Sequence, residues 1–104
     1  MVVTIFRSRL RSEHKAEYVE VGRRMFELAS AMPGFVAFKT FVADDGERVS
    51  IVEFDSQESH DAWRNHPDHR VAQGLGREKF YADYRIQVCT GVRTRDFRFD
   101  GAED

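Results

Sequence analysis

The chain predicts an α+β fold in which four antiparallel strands form one sheet and the helices pack on one face of it. Two observations carry this. Runs rich in β-branched and aromatic residues fall at Val2–Leu10, Phe35–Ala43, Glu47–Phe54 and Tyr84–Val92. Between them lie one stretch with apolar residues at helical spacing and a second one interrupted by Pro67. Strand, helix, strand, strand, broken helix, strand, joined by right-handed crossovers, makes a split βαβ (βαββαβ) sheet of the ferredoxin-like kind.

Each element has a local reason. Val2, Thr4, Phe6, Ser8 and Leu10 alternate with Val3, Ile5, Arg7 and Arg9, the period of a strand. Ser12 is placed to cap the next helix, with Glu13 favourable at its positive end. Tyr18, Val21, Met25, Leu28 and Met32 then make an apolar stripe, which Pro33-Gly34 terminates. Phe35–Ala43 and Glu47–Phe54 flank Asp44-Asp45-Gly46, a hairpin turn with a glycine free to take positive φ. Asp55 followed by Glu58 has the pattern of a capping box for a helix ending near Asn65. Pro67 suits the first position of a further helix reaching about Tyr81. Gly74 and Gly76 each weaken that helix by about 1 kcal/mol relative to Ala, which implies close packing against them. After Tyr84–Val92, Asp96–Asp100 (DFRFD) reads as a short extended arm before a polar tail.

With 104 residues, a single domain is expected over 1–104, its core at about 2–92 and its arm and tail at 93–104. A hydrophobic content of 41% against 33% charged is that of a globular chain. The net charge of -2, with signs interspersed, argues against a nucleic-acid surface. Nothing in MVVTIFRSRL resembles a signal peptide, no run is long enough to span a membrane, and one cysteine suits a reducing compartment. The expected location is the cytoplasm, without membrane or nucleic-acid partners.

Two helices can cover only one face of a four-stranded sheet, so the other face should be polar. Instead, Phe35, Ala37 and Phe41 oppose Val36, Phe38 and Val42 on the second strand, while Val49 and Ile51 oppose Val52 and Phe54 on the third. Such a patch is expected to be covered by a second copy, sheet face to sheet face, in a symmetric homodimer. The tail folding back over it is the alternative.

Chemistry-bearing side chains concentrate between His60 and Cys89. Trp63 with Phe80, Tyr81 and Tyr84 suggests the wall of a pocket for a flat aromatic molecule, with Arg85 or His69 as the polar element. Trp63 as plain core filling is the competing reading. His60, His66 and His69 are candidate bases or ligand contacts because imidazole titrates nearest neutrality. His66 and His69 straddle the helix break with no second carboxylate at ligand spacing, so no metal site is expected, and His66 is as well explained as a helix cap. Cys89, between apolar neighbours, is expected to be buried and inert. Gly74-Leu75-Gly76 lacks the features of a phosphate loop, and Arg7 and Arg9 read as rim charges.

The ordered set Met32-Pro33-Gly34-Phe35, Glu53-Phe54-Asp55-Ser56, Ala62-Trp63, His66-Pro67-Asp68-His69, Gly76-Arg77 and the run Phe80–Cys89 resembles the antibiotic biosynthesis monooxygenase family over about residues 2–92. The resemblance implies a ferredoxin-like dimer, a dimeric α+β barrel with facing sheets. It also implies that some members oxidise phenolic quinol precursors with O2 and no metal or organic cofactor, using an Asn, a Trp and an Arg. Trp63 matches that Trp. Ser59 stands where the Asn would be, one turn earlier, and Arg85 is the loose counterpart of the Arg. A haem-degrading branch uses an Asn on the first strand, where this chain has Arg7-Ser8, and an axial His farther from the Trp than His69.

The expected function is therefore a cofactor-independent monooxygenase acting on a flat phenol- or quinol-like small molecule. Trp63, His69 and Arg85 are the expected catalytic residues, and His60, His66, Phe80, Tyr81 and Tyr84 the expected substrate contacts. A non-catalytic ligand-binding or scaffold dimer of the same fold, or a haem-binding one, are the alternatives.

Overall fold

A computed structural model of the protein describes residues 1–99. The elements are β1 (Val2–Leu10), α1 (Lys15–Ala31), β2 (Phe35–Val42), β3 (Arg48–Phe54), α2 (Gln57–Arg64), α3 (Pro67–Leu75), a π-helical turn (Gly76–Phe80) and β4 (Tyr81–Thr90). The strands pair antiparallel in the order β2-β3-β1-β4, the expected α+β topology. Register divides the sheet into two faces. Thr4 lies level with Val52 and Val88, and Phe38 with Val52, on the face that carries the helices. Ile5, level with Ile51 and Gln87, is on the other face.

On the helix face, Ala29 of α1, Val52 and Phe54 of β3 and Trp63 of α2 form the buried core, with Leu28, Met32, Phe35 and Phe38 packed around it. The stripe read on α1 is thus its less exposed side, with Val21 buried and Tyr18, Met25, Leu28 and Met32 half-buried. Its solvent side carries Arg23 bound to both Glu20 and Glu27, surface pairs of little energetic weight.

Helix starts differ from expectation by a residue or two, for traceable reasons. The Ser12 hydroxyl donates to Glu13 Oε2 (2.8 Å) and is unavailable to α1, whose N-terminal flank is His14 at φ 61° without a side-chain cap. On α2 the cap is Ser56, not Asp55: Ser56 Oγ accepts the Ser59 amide (3.1 Å). Asp55 is used one step earlier, its amide donating to Gly34 O (2.8 Å). Pro67 does begin α3, capped by His66, whose Nδ1 accepts the Asp68 amide (3.1 Å). α3 ends at Leu75 rather than continuing to Tyr81, because the chain widens into the π turn at Gly76. Only Gly76 of the two glycines is tightly packed: a Cβ there would lie 2.6 Å from the Tyr81 ring, whereas Gly74 has open space.

The helix-free face bears Val3, Ile5, Val49, Ile51 and the 48%-exposed Phe41, and no helix covers it. Cys89 is also here, exposed on β4 rather than buried, because β4 is an edge strand and position 89 points away from the helices. Among the described residues nothing folds back over this face: Val92, Phe97 and Phe99 are 99%, 88% and 66% exposed, and residues 91–99 have no regular structure. The end of the arm expected at Asp96–Asp100, and the tail beyond it, lie outside the described residues. No helix among the described residues is long and apolar enough to cross a membrane.

Gly34 takes φ 81°, and any side chain there would collide with Ser59 and Asp55. Gly34→Ala should lower unfolding stability by about 2 kcal/mol or more, against about 1 kcal/mol for Ser56→Ala, both read from urea midpoints. Equal or negligible losses would show that this turn does not set the α1–β2 and β3–α2 junctions.

Candidate functional site

Between the helices and the sheet lies a cleft of about 900 Å3, in the size range of small-molecule sites. α2 supplies two of its walls. His60 and Trp63, at i and i+3, share one helix face and are 2% and 6% exposed.

His60 spans two partners. Its Nδ1 is 3.0 Å from Asp61 Oδ1, and its Nε2 is 2.8 Å from Thr4 Oγ1. A carboxylate can only accept, so Nδ1 carries the proton and, in the neutral ring, Nε2 accepts from the Thr4 hydroxyl. The His60 hydrogen bond is the main reason that the Asp61 carboxyl is held below its ordinary value.

Trp63 is held by two stacks. Phe54 lies 5.4 Å away at 29° and His69 4.3 Å away at 19°, centroid to centroid. These contacts leave little ring face for a ligand. The polar group of the indole is its N–H, which is buried and has no partner among the described residues. Burial holds His69 below the ordinary imidazole range, so at neutral pH it is an uncharged stacking ring.

At the other end, Arg48 projects from β3 on the helix face, its guanidinium 5.5 Å from the Tyr18 ring centre. Its Nε–H is buried and has no partner among the described residues. Phe6, Tyr18, Phe80, Tyr81 and Tyr84 form an edge-on aromatic network around it. Burial raises the Tyr81 phenol well above its usual range, so it stays protonated. Arg48 and Val52 are four residues apart on β3, so the Arg48 end and the Thr4–His60 end are separated by roughly 13 Å of strand. A smaller polar recess, lined by Arg64, Arg70 and Arg77 with Asn65 and Gln73, adjoins the cleft and makes this rim basic.

Of the residues singled out in the sequence, His60, Trp63, His69, Phe80, Tyr81 and Tyr84 line the cleft together. Arg85 does not. It follows Tyr84 on β4, so it points to the opposite face, where it lies level with Arg7. His66 does not either; its ring is engaged in capping α3. Arg7 and Arg9 are rim charges, bound to Glu47 and Asp45. Sequence reasoning missed Arg48 and Thr4. Alternation groups Thr4 with Phe6, but β3 is apolar on both parities, and only its register sets Arg48 on the helix face with Val52.

The fold and the cleft define a small α+β protein with an aromatic-lined cleft between helices and sheet. Residues 1–75 match the antibiotic biosynthesis monooxygenase family, and the chain belongs to it. It is 32% identical over 91 residues to the uncharacterised protein YqjZ of Bacillus subtilis, covering 88% of this chain and 80% of that one. Its fold is similar to Rv0793 from Mycobacterium tuberculosis (TM-score 0.79, 18% identity, 91% of this chain and 98% of that one). It is also similar to a putative antibiotic biosynthesis monooxygenase from Deinococcus radiodurans (0.82, 12%, 95% and 100%). SnoaB, a cofactor-independent oxygenase from Streptomyces nogalater, is likewise similar (0.73, 18%, 89% and 94%). At these identities the structural likeness establishes the fold.

Because His69 is held below the ordinary imidazole value of 6.5, the unfolded chain takes up its proton first as the pH falls. The stability this half-buried neutral ring contributes is present above that value and lost as the pH drops from there through its lower folded value. His69→Phe keeps a stacking ring without the proton site. Its urea midpoint should therefore fall less than that of the parent between about pH 7 and pH 5. An equal fall would contradict burial of His69.

Proposed function

We propose that this protein is a cofactor-independent monooxygenase whose cleft takes a flat phenol- or quinol-like molecule. One observation carries the reading. In an aromatic cleft, the two buried side-chain donors left without partners among the described residues are the indole N–H of Trp63 and the Nε–H of Arg48. Buried donors without acceptors are costly, and these two are satisfied by a ligand that brings oxygen acceptors to both ends of the cleft. A flat quinol is such a ligand: ionised at the Trp63 end, it spreads its charge through the ring system to the oxygen at the Arg48 end, where a fixed guanidinium stabilises it. The electron-rich anion is the species that O2 oxidises. Arg48 thus takes the role that alternation denies to Arg85.

His69 supports the site as a neutral ring holding Trp63, rather than as its base. Phe80, Tyr81 and Tyr84 supply apolar and edge contacts, and the basic rim of Arg64, Arg70 and Arg77 draws anionic molecules toward the cleft. The helix-free face, with Val3, Ile5, Val49, Ile51 and Phe41, is the surface we assign to a second copy in a cytoplasmic homodimer. This leaves the cleft on the far side of each sheet.

O2 uptake with 1,4-dihydroxynaphthalene, a flat quinol with oxygens on opposite sides of its ring system, tests the reaction. The parent should consume O2 above the background rate. Arg48→Met should lower kcat/KM about a hundredfold, as removal of a charge-stabilising donor does, while Arg85→Met stays near the parent. Binding of the quinol without O2 uptake above background would identify a ligand-binding protein instead, and an unaffected Arg48→Met would remove Arg48 from the site.

Light scattering should give the mass of a dimer at micromolar concentration, and Ile51→Lys should reduce it to that of one chain. A monomeric parent would contradict the covered sheet face.

A further inference from the structure

We propose that Thr4, His60 and Asp61 form a proton relay that removes the ligand's hydroxyl proton from the cleft, with Thr4 as the group in contact with the ligand. Resting on the phenol reading above, it adds the route by which the phenol ionises.

The three groups are linked in series. Thr4 Oγ1 and His60 Nε2 are 2.8 Å apart, His60 Nδ1 and Asp61 Oδ1 3.0 Å. Their burial is graded along the chain. Thr4 is 7% exposed and lines the cleft, the His60 side chain is 2% exposed, and the Asp61 side chain is 44% exposed. The path thus runs from the cleft, through a buried imidazole, to a carboxylate in water.

The direction of the hydrogen bonds fixes the direction of transfer. With Nδ1–H donated to Asp61, Nε2 accepts the Thr4 proton, and the threonine oxygen has lone pairs left for a donor in the cleft. A phenol O–H is such a donor. Its proton passes to Thr4 Oγ1 as the threonine's own proton passes to His60 Nε2. The products are a phenolate in the cleft and an imidazolium that Asp61 stabilises. No electrons move and no other reactant is needed. Thr4 would be the catalytic residue, and His60 and Asp61 act through it.

A plain structural role would predict the same contacts in the empty protein but no ionisation of a ligand. The difference is measurable with 1-naphthol, whose anion absorbs at longer wavelength than the neutral form, and with 15N NMR of the histidine rings in the full chain. In the free parent, His60 Nε2 should give the signal of an unprotonated nitrogen. On binding 1-naphthol the naphtholate band should appear and His60 should become doubly protonated. Thr4→Val, close in shape and fit for a strand, should bind 1-naphthol but show at least about tenfold less naphtholate, and Thr4→Ser should restore it. A protonated Nε2 in the free parent, or naphtholate retained in Thr4→Val, would overturn the relay. Binding of neutral naphthol by the parent would overturn the relay alone, whereas no binding by the parent would overturn the phenol reading and the relay with it.

Discussion

The stack of Phe54, Trp63 and His69 is the interaction on which the rest of the structure depends. It joins one ring from the sheet, one from α2 and one from α3, and so fixes both short helices over β3. Neither α2 nor α3 exceeds nine residues, and helices of that length are marginal without packing. Each aromatic pair contributes about 0.5–1.5 kcal/mol beyond its burial. The same stack occupies the faces of the indole and leaves its buried N–H without a partner among the described residues. An arrangement that looks like core filling is therefore also what sets the polarity of the cleft.

His60 fixes α2 a second time, through a polar contact rather than an apolar one. A buried imidazole needs partners for both nitrogens, and Thr4 on β1 and Asp61 on the helix supply them. Thr4 is level with Val52, so β1, β3 and α2 meet at one point. Placing the candidate site there draws on the most constrained part of the molecule. The Arg48 end is built differently, from aromatic rings that range from the buried Phe80 to the 40%-exposed Tyr84.

The sheet, the long helix and the break at Pro67 were legible because each is written in a period or a backbone restriction. The helix caps were less so. Asp55 and Ser56 are both competent caps, and only the hydrogen bond from the Asp55 amide to Gly34 decides between them. The aromatic wall was legible as a cluster of rings, but its charged member was not. β3 is apolar on both parities, with Val49 and Ile51 against Val52 and Phe54, so nothing in the strand itself says which side faces the helices. Arg48 could not be placed until the register was known. Arg85 could have been set aside earlier, because a residue adjacent to Tyr84 on a strand cannot share its face. Cys89 was misread for a related reason: an apolar neighbourhood in sequence does not bury a residue on the uncovered side of an edge strand.

Trp63 is the only tryptophan in the chain, so its indole N–H gives a single resonance in a 1H–15N spectrum. Titrating the labelled protein with 1-naphthol tests whether this unpartnered donor belongs to a ligand site. The resonance should move downfield and saturate as the N–H gains an oxygen acceptor. An indole signal that stays in place while naphthol binds elsewhere would contradict the account.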